Sequence, residues 1–507
     1  MATANAHGFG QRYDLPVPLS LYLIGAGAAV VLSFVVAAVF LRTGSAEGSY
    51  PRLNLLRWRA GRALFSRQVG ITLELLSVSV FLLVLVAGLI GTTNQVRNIA
   101  PVLVWVIWWV GIAYFSALAG NIWHLTNPWR ILFSWAEALA RRFDPEASLS
   151  MDLPYPRRLG VWPGVILFFA FAWLEIAFHD PARPSNIATM ALVYSVITWS
   201  GMIVFGKDRW LYRGEVFTLV FGLLARFAPT EARTIGDACS DCPSCGSTPA
   251  DSGLASSRPA GAGPSDCVNC YSCFEKAPPE RRQINLRPFA VGLQRTDAVS
   301  LSMMAFVVLL LATVTFDGFT DTPTWASIVV GYYSTFGQLT GIATLGLLAF
   351  PLLFMALYLV TSAMMPLATG RRLPLLETAK PFVLSLVPIA LAYHLAHYLT
   401  YLLTQGQLLV PLISDPFGFG WDLFGTADYS IDLNIVGARF AWYTAVTAIV
   451  VGHMVAVWLA HLTALRVFGN ERAALRSQYP MLALMVGYTA ISLWILAQPI
   501  VEAGIPG

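Results

Sequence analysis

Ten apolar runs, each long enough to cross roughly 30 Å of hydrocarbon, constrain this chain more than any other feature. They extend over Val17–Leu41, Ile71–Ile90, Pro101–Ala119, Val161–Phe178, Ile187–Phe205, Val299–Phe316, Leu339–Met364, Pro381–Leu403, Phe440–Leu465 and Pro480–Ile500. A backbone inside a bilayer must satisfy its own hydrogen bonds, and uninterrupted runs of this length do so as helices. Charged residues make up only 12% of the chain, about half the share of a soluble domain. The fold class read from the sequence is therefore all-α: a polytopic integral membrane protein of about ten transmembrane helices.

Positive charge is retained in cytoplasmic loops. With the N-terminus outside, every Lys and Arg except Arg12, Arg97, Arg183 and Arg439 falls on the cytoplasmic side. Both termini are then expected outside, in a bacterial cytoplasmic (inner) membrane. The formal net charge of +4 reflects this asymmetry and gives no reason to expect nucleic acid as a partner. Ala4-Asn5-Ala6 before His7 has the form of a signal-peptide cleavage site, but no apolar segment precedes it. A short translocated tail is the plainer reading.

Three regions follow: an N-terminal membrane half (1–206, about five spans), a cytoplasmic insert (207–297) and a C-terminal membrane half (298–507, about five spans). Two five-span halves suit an inverted-repeat transporter, although no sequence match links them. Inside the insert, Val216–Phe227 is too short to span. It is expected as an interfacial or re-entrant helix, with Arg226 placing it at the cytoplasmic surface. Gly246–Asp266 reads as a linker.

All six cysteines lie in the insert, as Cys239, Cys242, Cys245 and Cys267, Cys270, Cys273. Two C-x2-C-x2-C arms in a reducing compartment point to metal rather than to a disulfide framework. Zinc and an iron-sulfur cluster are both compatible with the thiolate count. Of seven histidines, His394 and His397 share a helical face with Tyr401, and His453 and His461 lie on the next span. Imidazoles inside a membrane turn inward to meet a partner. The readings are a haem held by His394 or His397 and His453, a second metal site completed by His7 or outer carboxylates, or interhelical hydrogen bonding; His461 reads as interfacial. Glu175, His179, Asp180, Asp317, Asp321, His7 and Asp14 gather toward the outer face, where oxygen ligands with imidazole suit a water-activating metal. No G-x-S-x-G motif marks a serine hydrolase.

Four phrases, HGFGQRYDLPVPLSLY from His7, GNIWHLTNPWRILF from Gly120, CVNCYSCFEKAPPERRQINLRPFAVGL from Cys267 and TFDGFTDTPTW from Thr315, together resemble the polytopic bacterial membrane proteins known as fenitrothion hydrolases. The resemblance implies hydrolysis of an apolar organophosphorus triester, with a second membrane subunit as a partner. It assigns no catalytic residue. On that reading the triester enters from the bilayer lipids, and a metal-bound water held by His394, His397 and His453, with His7, Asp317 and Asp321 completing the shell, attacks phosphorus. The alternatives are a redox protein passing electrons between the cysteine arms and a haem, and a transporter.

Overall fold

The computed structural model describes residues 15–40, 50–235, 267–294, 299–337 and 339–501. Among them are ten helices long and apolar enough to cross a membrane, and the protein is a multi-pass membrane protein. They are α1 (Leu19–Phe40), α2 (Arg59–Ile90), α3 (Ile99–Leu118), α4 (Arg157–Ile176), α5 (Pro184–Phe205), α6 (Leu301–Thr320), α7 (Thr340–Ala368), α8 (Leu375–Ser414), α9 (Ala438–Phe468) and α10 (Glu471–Val501). Each expected apolar run overlaps one of these helices over most of its length. The sequence reading underestimates α8, whose polar ends Leu375–Lys380 and Thr404–Ser414 continue as helical turns beyond the apolar run.

The bundle is not a pair of separate five-helix halves. α1 packs on α9 and α10, α3 lies against α8, and α4 lies against α6. α6 is the central element, buried on nearly every side from Ser302 to Gly318. α8 and α9 approach closely at Gly452, where an added Cβ would come within 2.4 Å of the Ala392 side chain and 2.8 Å of the Pro388 carbonyl. Residues Val102–Gly111 of α3 form a π-helical stretch. Its wider turn directs Trp105 and Trp109 into the core; such segments recur at functional sites.

Two features depart from the sequence reading. A small antiparallel sheet, ordered β1 (Leu53–Asn54), β4 (Arg282–Leu286), β2 (Thr230–Thr234) and β3 (Cys267–Val268), joins the α1–α2 connection to the insert. No strand was expected in the insert, because alternation over two to five residues is too short to register. The segment expected as an interfacial or re-entrant helix is a helix over Val216–Leu224, but all but one of its residues are buried within the protein, as suits a helix apolar on all sides, which has no face to offer water.

This short helix is secured at both ends by charge of the sign its dipole favours. At its N-terminus the buried Glu215 carboxylate accepts the Phe217 and Thr218 amides at 3.1 and 2.7 Å, together with Asn127 Nδ2 at 3.1 Å. At its C-terminal end the Arg287 guanidinium, carried just past β4, donates to the carbonyls of Ala228 (3.2 Å), Arg226 (3.2 Å) and Ala225 (3.5 Å). Arg287 also pairs with Glu231 at 3.0 Å, both side chains being 0% exposed. Burial pushes the Glu231 carboxyl up, but the charges of Arg287 and Arg52 and the Tyr50 hydrogen bond outweigh it, and its pKa lies below the ordinary value.

Candidate functional site

α4 and α6 both run away from the sheet and end on the opposite face of the bundle. Glu175 is the penultimate residue of α4, and Asp317 lies three residues before the end of α6. α8 runs the same way and brings His397 and Tyr398 against them. His397 Nε2 donates to Asp317 Oδ2 at 3.0 Å. The Tyr398 hydroxyl is shared between Asp317 Oδ2, in a very short contact, and Glu175 Oε1 at 3.5 Å. Asp321, the C-cap of α6, adds negative charge facing His397. Four ionisable groups from three helices thus form one connected cluster near one face of the bundle.

His394, one turn before Tyr398 on α8, faces the same interior. Its ring stands edge-on to Trp109 (6.0 Å between centroids) and Tyr114 (5.4 Å) of α3, and neither ring nitrogen makes a hydrogen bond. Between these groups lies a cavity of ≈ 30 Å³, lined by Glu175, Asp317, Tyr398, His394 and Trp109 on one side and by Leu310, Leu391, Val220 and Leu224 further in. The short helix Val216–Leu224 therefore forms its apolar floor. The space suits one or two waters or a small ion, not a triester.

The other sequence-predicted residues are placed as follows. His453 of α9 turns toward Tyr488 of α10 (5.8 Å between ring centroids), while His394 turns toward α3. α8 and α9 touch at Gly452, the residue before His453. His461, read as interfacial, is 1% exposed and bonded through Nδ1 to Gln478 at 3.1 Å, with Phe34 beside it. His179 is exposed, and Asp180 accepts a hydrogen bond from Gln95 in the surface turn after α4. Tyr401 lies one turn beyond His397, in ring contact with Tyr398. Among the described residues, no three His, Cys, Asp or Glu side chains are arranged to hold a metal ion.

His7, Asp14, Cys239, Cys242 and Cys245 lie outside the described residues. Cys267, Cys270 and Cys273 pack into one buried cluster where β3 leads into the helix Tyr271–Lys276. Cys267 is disulfide-bonded, which the reading of reduced thiolates does not anticipate. This arm docks on the bundle through Tyr271, stacked on His124 at 4.0 Å, and Glu275, bonded to His124 Nε2 at 2.9 Å. Burial lowers the His124 pKa, and Arg130 adds to this against the pull of Glu275. Burial raises Glu275, but His124, Arg130 and Lys207 together hold it at about 2.

Comparison with protein-family models, with curated proteins and with solved structures finds no match to this chain. The site must be argued from its own chemistry. The sequence reading singled out Glu175, Asp317 and His397 but missed Tyr398, which joins them. Its position four residues after His394 was the available signal, since that spacing places both on one helical face. Glu215, Glu231 and Arg287 were also missed, and only their isolation beside apolar residues marked them.

Proposed function

We propose that this protein is a proton-coupled transporter of the bacterial inner membrane, both termini outside, with the Glu175–Tyr398–Asp317–His397 cluster as its proton-binding centre. The observation that carries the reading is the Tyr398 hydroxyl placed between two carboxylates, one of them bonded to an imidazole, inside an apolar bundle. Ionisable side chains enclosed in a membrane-spanning bundle are costly and mark ion or proton pathways. The cluster can hold protons at Asp317, Glu175 or His397, and a single tyrosine hydroxyl connects the carboxylates. The ≈ 30 Å³ beside it fits an occluded state better than a substrate-bound one. The test is a screen of small solutes on wild-type proteoliposomes adsorbed to a solid-supported electrode. Currents that reverse with the pH gradient and vanish in Asp317→Asn support the reading; solute currents indifferent to that substitution would sink it.

A second reading is hydrolysis of an organophosphorus triester, supported by the family resemblance and by the His397–Asp317 pair. There Asp317 orients the imidazole and His397 takes the proton of an attacking water, with the bundle opening from the lipid to admit the substrate. A metal held by His397, Asp317 and Asp321, with His7, would supply a water of lowered pKa. Release of nitrophenol by purified protein, lost in His397→Ala, would favour this reading over transport. The cysteine arms are proposed as a zinc or iron-sulfur site, a reading supported by their two matched C-x2-C-x2-C spacings and requiring the Cys267 disulfide to be reduced. Metal analysis together with a visible spectrum separates the two.

A further inference from the structure

We propose that the proton site does not end at Asp317 and His397 but continues inward, through Tyr393 and the Tyr488–Thr315 hydroxyl pair, to His453 as its terminal acceptor. This rests on the proton-binding reading of the outer cluster and adds a second site, on different helices.

The components are buried polar groups in a row. Thr315 lies two residues before Asp317 on α6, and its hydroxyl is bonded to that of Tyr488 on α10. Tyr393 of α8 is 0% exposed, and its hydroxyl makes no hydrogen bond within the protein. That hydroxyl lies over Gly318, where an added Cβ would come within 2.4 Å of its oxygen. The glycine next to Asp317 is therefore what admits the phenol. Its ring lies 6.4 Å from that of His397, and Tyr488 in turn lies 5.8 Å, ring to ring, from His453.

His453 ends the row. It is 0% exposed, and Nδ1 lies 2.8 Å from the Ile449 carbonyl. A carbonyl only accepts, so Nδ1 carries the hydrogen and Nε2 presents a lone pair. Nε2 makes no hydrogen bond within the protein. The unpartnered His453 Nε2 and the unpartnered Tyr393 phenol are buried polar groups of the kind that water bridges to a neighbouring hydroxyl. Proton passage along the row breaks one O–H bond as it forms the next, leaves each hydroxyl neutral and ends with an N–H bond at Nε2; no electron moves.

The surroundings make His453 an end point. Tyr488 is the titratable group facing it from α10. At the neighbouring Gly452, α8 presents Ala392 and the Pro388 backbone, and the only titratable side chain of α1, Tyr22, lies on Trp442. Further along α9, His461 is two turns away, about 12 Å. Ala456, Val457, Met481 and Met485, all buried and apolar, fill that level. Protons reach His453 from one face only, which suits coupling rather than leakage.

The test is a rapid pH jump on full-length protein in lipid films, read by infrared difference spectroscopy with isotope-labelled histidine. An imidazole signal absent in His453→Gln is expected, appearing at least tenfold more slowly in Tyr488→Phe and Tyr393→Phe. Both phenylalanines keep the ring and remove only the hydroxyl. A wild-type spectrum identical to that of His453→Gln, or unchanged rates in both phenylalanine variants, overturns the inward path. The carboxyl signal is scored separately: if Asp317→Asn leaves it intact, the outer proton site fails instead.

Discussion

Replacing Arg287 by Met tests whether the insert holds the floor of the cavity in place. The guanidinium is fully buried, pairs with the equally buried Glu231 at 3.0 Å, and donates to the carbonyls of Ala228, Arg226 and Ala225. Removing one member of a buried pair costs about 3–5 kcal/mol, because the survivor keeps an uncompensated charge. Here Glu231 retains Arg52 Nε at 2.6 Å and the Tyr50 hydroxyl at 2.7 Å, so the lower end, about 3 kcal/mol, applies. At about 1.4 kcal/mol per factor of ten, that is on the order of 150-fold in the equilibrium for opening the sheet and the adjoining end of the short helix. Hydrogen exchange of the β2 and β4 amides in lipid nanodiscs reads this local opening directly. Adding Glu231→Gln should recover at least a third of the loss, since no lone charge is then left behind. A loss of protection below about fivefold, or a double variant no better than the single one, would refute the coupling of sheet to helix.

Further outcomes follow from the same geometry. Gly452→Val should lower the unfolding temperature in detergent and cost about 1–3 kcal/mol by overpacking, whereas Gly487→Ala, with open space around it, should be neutral. Because the Glu231 pKa lies below the ordinary 4.5, the stability it contributes is full above that pH and is lost as pH falls through the folded value. Protection of the sheet amides should therefore stay level above the ordinary value and drop below it, and Glu231→Gln should flatten the drop. Tyr398→Phe should leave the fold intact, as circular dichroism and thermal unfolding would show, while abolishing pH-gradient-driven currents.

The ten long helices were legible because a bilayer-length apolar run has few alternatives. The site was legible in its residue types: Glu175, Asp317 and His397 stand out as ionisable groups in or beside spans. Their partners were not, since which face of α8 meets α4 and α6 depends on packing between helices far apart in sequence. The same holds for His394, whose ring packs on Trp109 and Tyr114, and for His453, whose ring packs beside Tyr488. The insert was the least legible part. β2 and β4 are five residues each, and the burial of Val216–Leu224 depends on Glu215 and Arg287, separated by some seventy positions.

That separation has a consequence for biogenesis. A helix of nine residues is too short to be recognised as a membrane span during synthesis, so it is released on the side where the insert is made. Its N-terminal clamp emerges at once, but the arginine that closes its other end is translated only after both cysteine arms. The helix can therefore lodge in the bundle for good only once the whole insert has been synthesised. The floor is thus secured before α6 and α8, which supply Asp317, His394 and Tyr398 to the same cavity, have been made.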